Sequence, residues 1–232
     1  MKLLLVTLLL FSTYSFSQKQ YVFDYLIETE HTFYKDSIRI KNHQYRQIDT
    51  VLTKYYLTNS KNSDYIAVIF ELDSLSYKLK LRDEKNGLAS SVTFLKSDLN
   101  KADILNIHCN HILRYSNRYA DQTKNYVFNK LSDTLINGEV HKIFTLKSIK
   151  PKIVKRQKLG TAYYIIKNRT AFHLPIFNRS TAYKVWKRDG NLPNGIFLEK
   201  YYIDYDGQLY SNQKLINYWK TDKTIVLGND CD

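Results

Sequence analysis

The sequence predicts a mainly β protein, built as a single antiparallel curved sheet or half-barrel with one or two short helices. Apolar and polar side chains alternate in segments such as residues 77–81, and this period of two is typical of strands with one buried face. Asn-Gly pairs at residues 86–87 and 137–138 separate such segments and predict tight hairpins. The composition agrees, because 20 Tyr and 11 Phe fit pleated surfaces, while only 7 Gly and 3 Pro argue against a disordered chain.

Residues 1–17 predict a signal peptide that is cleaved. A single positive charge precedes the apolar residues 3–11, and Ser15 and Ser17 are the small residues that a signal peptidase reads. The apolar run is shorter than the roughly 20 residues that span a bilayer. We therefore expect export to the periplasm or the medium as a soluble protein, with one β-rich domain over residues 18–232.

Residues 21–28 predict the first strand of that domain. Tyr21, Phe23, Tyr25 and Ile27 would share one face of it, with acidic residues on the other. Further strands are predicted, in chain order, at residues 55–57, 65–70, 77–81 and 91–95.

Two short helices are predicted among the later strands. Ser97 and Asp98 indicate a capped helical turn that runs to residue 102, and Ser180 indicates the cap of a helix that runs to residue 188. Residues 103–115 fit one face of a helix as well as a strand, and we favour the strand. The remaining strands are predicted at residues 133–146 (a hairpin around Asn137-Gly138), 161–166, 196–205 and 215–227.

A basic connector, residues 147–158, follows the second hairpin. The chain as a whole has a formal net charge of +13. The connector is predicted as a loop with one of two roles: a solvated connection, or a contact with an anionic surface of the cell envelope. Export and the lack of aromatic residues interleaved with the charges argue against a nucleic-acid partner. Its candidate contact residues are Lys147, Lys150, Lys152, Lys155, Arg156 and Lys158.

The two cysteines, Cys109 and Cys231, are candidates for one disulfide. An oxidising compartment permits the bond, which would tie the C-terminal end to the middle of the domain. Two reduced thiols are the alternative, because one pair is far from a disulfide framework.

His108 and His111 form the best candidate metal motif, and they would face the same side of a helix. A zinc site needs three or four ligands, so a third residue such as His141 or His173 would have to join them. On a strand the same two side chains point to opposite faces. No nucleophile motif of a hydrolase is found, no catalytic residue is assigned, and no cofactor is expected.

Several segments together carry a resemblance to a known family. The hairpin at residues 136–146 precedes the basic connector and the strand at 161–166, and Trp186 precedes Leu-Pro-Asn-Gly-Ile at 192–196. This order resembles the GLPGLI family of small exported bacterial proteins, which are similar in outline to LolA-like half-barrels. In that family a tryptophan precedes a Gly-Leu-Pro-Gly-Leu-Ile block. Here the leading glycine is absent and Asn194 interrupts the block.

The resemblance implies a curved antiparallel sheet, and for LolA-like proteins an apolar concave face that can hold acyl chains. Together with export and the aromatic composition, it favours a non-enzymatic binding or envelope-associated protein. Its ligand would be a lipid or another apolar molecule on a concave aromatic face. The alternative is a secreted metal-dependent hydrolase centred on His108 and His111.

Overall fold

The computed structural model describes residues 18–40, 43–117 and 119–228. The predicted signal peptide and Cys231 lie outside these ranges. The strands are β1 (Gln20–Val22), β2 (Tyr25–Ile40), β3 (His43–Asn59), β4 (Asn62–Glu71), β5 (Ser76–Asp83), β6 (Leu88–Leu95), β7 (Ile104–Ile107), β8 (Ile112–Arg114), β9 (Tyr126–Lys130), β10 (Thr134–Ile136), β11 (Glu139–His141), β12 (Ile143–Ser148), β13 (Thr161–Ile166), β14 (Phe197–Ile203), β15 (Leu209–Lys220) and β16 (Thr224–Leu227). The α-helices are α1 (Lys96–Lys101), α2 (Pro151–Gln157) and α3 (Ser180–Asp189).

One large antiparallel sheet dominates the structure, as the sequence predicts. Its 11 strands follow the order β8-β6-β5-β4-β3-β2-β15-β14-β13-β12-β9. The two end strands, β8 and β9, do not pair with each other, so the sheet is not closed. A separate hairpin is made by β10 and β11.

A second, three-stranded sheet with the order β1-β16-β7 corrects two expectations. It is separate from the single sheet that the sequence predicted, and its β16 and β7 are parallel in an otherwise antiparallel fold. The predicted first strand is also not continuous, because the chain changes sheets between Val22 and Tyr25. Asp24 fixes this crossing, since its carboxylate accepts hydrogen bonds from the backbone N–H and the hydroxyl of Ser60 at 2.7 and 2.5 Å.

The two halves of the predicted first strand therefore enter different cores. Tyr21 and Phe23 join a cluster that the small sheet covers, while Tyr25 and Ile27 pack with a cluster on the opposite side of the large sheet. Side chains alternate across a strand, so the large sheet has two distinct faces. We call the face that carries Ile27 and Tyr56 face 1, and the face that carries Leu26 and Tyr55 face 2.

Each face is covered over a different part of the sheet. On face 2 the small sheet and α1 bury a cluster over β3, β4, β5 and β6 that includes Leu57 and Leu79. On face 1 the segment that contains α3 buries a cluster over β12, β13 and β14 that includes Tyr164 and Val185. The strands between these two covers, chiefly β2 and β15, remain less covered.

The long β2–β3 hairpin is the largest element that the sequence did not predict in full. Its strands have 16 and 17 residues, and only residues 21–28 and 55–57 were assigned to strands. Residues 51–54 of β3 show no apolar alternation that would predict a strand. Val51 and Leu52 of β3 are exposed by 50% and 39%.

Both Asn-Gly hairpins are confirmed. Asn137 and Gly138 have positive φ angles of 50° and 81° between the paired residues Ile136 and Glu139, as a tight two-residue turn requires. Gly87, with a φ of 64°, closes the longer connection between β5 and β6.

The helix near Ser97 and the one near Ser180 are confirmed, but their predicted caps are wrong. Leu95 and Arg179 occupy the cap positions, and neither makes a side-chain capping hydrogen bond. The Ser180 hydroxyl instead donates to Glu84 Oε1 at 2.7 Å, which ties α3 to the β5–β6 connection. Residues 103–115 form β7 and β8 around a 3₁₀ turn at Cys109–His111, so the strand interpretation is confirmed in part.

Gly160, just before β13, marks a close approach of two backbone segments. A Cβ atom there would lie 2.1 Å from the Ile203 carbonyl oxygen and 2.7 Å from the Asp204 Cα. Because backbone atoms cannot rotate away, we expect Gly160→Ala to lower the free energy of unfolding by about 3 kcal/mol, the upper range for overpacking. A urea titration followed by circular dichroism measures this loss.

Gly207→Ala is the matched control for Gly160→Ala. Gly207 has a φ of 80° but open space around the position of a Cβ. It should therefore cost only the left-handed strain, about 1 kcal/mol. Equal losses for the two variants would contradict the close-approach explanation.

Candidate functional site

An apolar groove lies on face 2, beside the core that the small sheet covers. Its volume is about 240 Å³, close to the lower end of the ~300–1,000 Å³ typical of ligand pockets. Most of its lining is aromatic or aliphatic. The lining residues are Leu26, Glu28, Tyr55, Ile69, Tyr77, Leu99, Trp219 and Lys223.

The strand registers explain why these side chains meet. Leu26 and Glu28 are two residues apart on β2, and Trp219 of β15 lies directly opposite Leu26. Tyr55 of β3 is paired with Glu28 on one side and with Ile69 of β4 on the other. Directly paired residues share a face, so the groove follows from alternation along neighbouring strands.

The remaining lining residues come from the elements that cover face 2. Leu99 belongs to α1 and is 4% exposed, while Lys223 precedes β16. The Lys223 ammonium donates to the carbonyl oxygens of Leu99 and Ala102, both at 2.7 Å. These two hydrogen bonds hold Lys223, which lines one side of the groove, against the end of α1.

The aromatic rings of the groove are accessible from solvent. Trp219 is 39% exposed, and Tyr55 and Tyr77 are partly buried, with their rings 6.3 Å apart in an edge-to-face arrangement. Burial, followed by the negative charge of Glu28, raises the pKa of the Tyr55 phenol. Tyr55 thus stays protonated at neutral pH and can donate to the Glu28 carboxylate. The groove offers a ligand mostly apolar surface with one polar edge.

The predicted metal ligands do not converge in the part of the chain that the structure describes. His108 and His111 are both exposed, and no group of three or more His, Cys, Asp or Glu side chains that could hold a metal ion is found among the described residues. The proposed third ligands are engaged elsewhere. His141 Nδ1 lies 3.1 Å from the Ile166 carbonyl oxygen, and His173 Nε2 lies 2.9 Å from the Thr58 hydroxyl.

The basic connector contains α2 and is therefore not the loop that the sequence predicted. Pro151 occupies the first turn, where its fixed φ favours a helix, and Lys158 ends the helix in a left-handed conformation with a φ of 48°. All six candidate contact residues of the connector are exposed. Their contact with an anionic surface stays a prediction.

The predicted disulfide partner of Cys109 lies outside the described residues. Cys109 Sγ is 3.6 Å from the carbonyl oxygen of Gly228. Gly228 is three residues before Cys231 in the sequence. The disulfide itself stays a prediction, and this proximity supports it.

Most of the groove was not singled out from the sequence. Tyr55 and Tyr77 lie in predicted strands, but Leu99, Trp219 and Lys223 carry no motif that marks them. Alternation in residues 77–81 could have assigned Tyr77 to one face of the sheet. It could not have shown that this part of the face stays uncovered.

Among the residues that the structure describes, no helix is long and apolar enough to cross a membrane.

Known proteins resemble this chain in structural outline and not in sequence. No family matches it, and no curated protein matches its sequence. Solved structures with a similar outline include the MucA/MucB complex of Pseudomonas aeruginosa, at 7% identity and a TM-score of 0.42, covering 86% of this chain and 52% of that one. A crystal structure of MucB has 9% identity and a TM-score of 0.39, covering 87% and 54%.

A third similar structure is described as an outer membrane lipoprotein-sorting protein domain from Vibrio parahaemolyticus. It has 11% identity and a TM-score of 0.30, with 85% of each chain covered. This chain spans about half the length of the MucB structures that it matches. No family model or sequence match supports the resemblance to the GLPGLI family. With TM-scores below 0.5, these similarities carry no argument about function.

Proposed function

We propose that this protein is exported and works as a non-enzymatic, envelope-associated binding protein that holds an apolar or acyl ligand in the face 2 groove. The observation that carries the proposal is the groove itself. It exposes aromatic and aliphatic side chains directly beside a completed core. Apolar surface left open in this way commonly marks a binding site.

The chemistry of the lining favours an acyl chain over a polar ligand. Only Glu28 and Lys223 bring charged groups to the groove, and the Lys223 ammonium already serves two carbonyl groups. A polar ligand would lose its hydration with few partners to replace water, whereas each methylene buried contributes about 0.8 kcal/mol. The volume of about 240 Å³ suits part of a chain, with the remainder lying toward solvent.

Export is supported by the sequence of residues 1–17 alone, with its charge, its apolar run and its small residues. An acyl-binding groove is consistent with work at an envelope, where free or protein-linked acyl chains occur. The exposed connector lysines would bring the protein to an anionic surface.

Binding of an uncharged probe tests the proposed function. Purified protein is titrated with N-phenyl-1-naphthylamine, whose fluorescence rises in apolar sites, and the probe is then displaced with dodecanol. We expect saturable binding and full displacement. Trp219→Ala should weaken binding about tenfold, which corresponds to ~1.4 kcal/mol of lost contact.

Ile216→Ala is the matched control, because Ile216 lies on the same strand, is 56% exposed and does not line the groove. Its affinity for the probe should equal that of the wild type. Equal affinity in all three proteins, or no saturable binding in the wild type, would refute the groove as the ligand site. Mass spectrometry of an organic extract of the purified protein then identifies any acyl molecule that co-purifies.

A further inference from the structure

A second pocket, on face 1 and outside the groove, gathers several basic side chains. Its volume is about 130 Å³. Three cationic residues contribute to it, together with His31, amide side chains and aromatic rings. The lining residues that determine its chemistry are His31, Lys54, Tyr164, Arg179, Lys200 and Gln213.

Lys200 of β14 is the central cation of this pocket. The register pairs it with Tyr164 on one side and Gln213 on the other, and Gln213 is paired in turn with His31. The Lys200 ammonium lies 5.6 Å from the ring centroids of both Tyr56 and Phe197. Aromatic faces stabilise a cation without neutralising its charge.

Lys54 and His31 form the next part of the pocket. The Lys54 ammonium lies 3.5 Å from His31 Nδ1, and His31 Nε2 lies 2.9 Å from the Tyr56 hydroxyl. An ammonium only donates, so Nδ1 is the acceptor and Nε2–H donates to Tyr56. His31 is thus a neutral ring that fixes Lys54 in place and adds no charge.

No carboxylate among the side chains that the structure describes balances these cations. The pocket lining contains no Asp or Glu, and none of the ion pairs among described residues involves Lys54, Arg179 or Lys200. Glu199, next to Lys200, accepts instead from Asn212 at 2.6 Å. Clustered cations without a counter-charge repel each other, so this arrangement lowers the stability of the folded protein.

The titration of the cluster agrees with this geometry. Burial, followed by the charges of Arg179 and Lys54, lowers the pKa of Lys200 to about 7. Burial and the charges of Lys54 and Lys200 lower the pKa of His31 to about 3.

The other ionisable groups near Lys200 also have shifted pKa values. The phenols of Tyr56 and Tyr164 have raised pKa values because of burial. Burial and the charge of Lys80 on β5 lower the pKa of Lys54. The Arg179 guanidinium lies 5.5 Å from the centroid of the Tyr202 ring.

We propose that this pocket binds a small tetrahedral oxyanion, a phosphate or sulfate group, between Lys54, Arg179 and Lys200. The oxyanion supplies the missing negative charge and accepts hydrogen bonds from ammonium and guanidinium groups. A metal ion is excluded by repulsion from the same charges. The site lies on the opposite face from the groove, so it does not depend on the proposed function.

Isothermal titration calorimetry with inorganic phosphate and with sulfate, at constant ionic strength, tests the site. We expect one saturable site for each anion in the wild type. Sulfate keeps the same charge between pH 6 and pH 8. Any change in the affinity for sulfate over this range therefore comes from ionisable groups of the protein. Because bound anion favours the protonated ammonium, affinity for sulfate should fall about tenfold between pH 6 and pH 8, with proton uptake on binding.

Lys200→Met should lower sulfate affinity at least tenfold and abolish the pH dependence. The substitution also removes a buried charge, so the melting temperature of Lys200→Met at pH 6 should not fall below that of the wild type. Arg179→Gln should lower the affinity at both pH values and keep the pH dependence, which serves as a second variant if Lys200→Met does not fold. Lys124→Met is the matched control and should bind as the wild type does, because Lys124 is exposed and lies outside both the pocket and the basic connector.

Vesicles distinguish a free anion from a lipid headgroup. Binding of phosphate in solution, with vesicle binding that is absent or that Lys200→Met leaves unchanged, identifies a free anion as the ligand, because the connector lysines can also hold the protein on phosphatidylglycerol vesicles. Vesicle binding that Lys200→Met removes identifies a headgroup. The proposal is overturned if no saturable anion binding occurs, or if Lys124→Met weakens binding as much as Lys200→Met does.

Discussion

Asp83→Ala should lower the free energy of unfolding by about 3–5 kcal/mol, the usual cost of breaking a buried charged network. The Asp83 side chain is almost completely buried, and the Lys19 ammonium lies 2.8 Å from its Oδ2 atom. The Tyr21 hydroxyl donates to the same carboxylate at 2.9 Å. Asn86 donates to it twice, from its backbone N–H at 2.9 Å and from its side chain at 2.7 Å.

The position of Asp83 in the fold makes this loss large. It ends β5, closes the connection to β6 through Asn86, and holds Tyr21 of β1 against the large sheet. Alanine would leave the buried Tyr21 hydroxyl without its acceptor and Lys19 without its counter-charge. The small sheet and the large sheet would both lose a contact that fixes their relative positions.

The Asp83 network also predicts sensitivity to acid. Burial alone would raise the pKa of this carboxyl, but hydrogen bonds from Lys19, Asn86 and Tyr21 outweigh burial and lower it. A lowered pKa in the folded state means that the stabilisation is present above the unfolded pKa of about 3.9. It is lost as the pH falls from there through the folded pKa. Asp83→Ala should therefore show a weaker fall in stability below about pH 4 than the wild type.

Chemical denaturation at pH 7 and at pH 3 measures both effects. Asp133→Ala is the matched control, because Asp133 is exposed and forms a surface ion pair with Lys130 at 3.4 Å. Its loss should be below about 1 kcal/mol. If Asp83→Ala and Asp133→Ala cost the same at pH 7, the buried network does not stabilise the fold as argued.

Removing the predicted Cys109–Cys231 disulfide should have an effect of similar size. The bond would close a loop from residue 109 to residue 231, for which the chain-entropy relation gives about 4–5 kcal/mol as an upper figure. The Gly228 carbonyl oxygen, 3.6 Å from Cys109 Sγ, supports a C-terminal end that reaches this cysteine. Cys231→Ser should therefore lower the melting temperature under oxidising conditions.

Reductant provides the control for the disulfide. It should lower the melting temperature of the wild type to that of Cys231→Ser and leave the variant unchanged. A maleimide should label no thiol in the folded, oxidised protein and two after reduction and unfolding. Labelling of both thiols in the folded protein without reductant would show that the bond is absent.

Local patterns were sufficient for much of the secondary structure. Alternation over residues 77–81 corresponds to β5, and Asn137-Gly138 forms the turn of the β10–β11 hairpin. These features depend on the φ and ψ angles of a few neighbouring residues and on the period of two, both of which are encoded locally. Ser180 similarly marked the start of α3, although its hydroxyl was drawn to Glu84, which is distant in sequence.

Long-range packing decided the features that the sequence did not predict. Tyr21 and Tyr25 belong to one alternating pattern, yet Asp24 and Ser60 divide that pattern between two sheets. The parallel pairing of β7 with β16 joins segments about 120 residues apart in the sequence, and no local signal specifies such a pairing.

The candidate sites show the same division. The sequence by itself determined which side chains alternate, so Tyr55 and Tyr56 had to lie on opposite faces of the sheet. Only the tertiary structure decided that Tyr55 lines an open apolar groove, while the ring of Tyr56 lies beneath Lys200. The physical reason is that alternation fixes the direction of a side chain within its own strand. Whether that direction leads to solvent, to a core or to another charge depends on elements that arrive from distant parts of the chain.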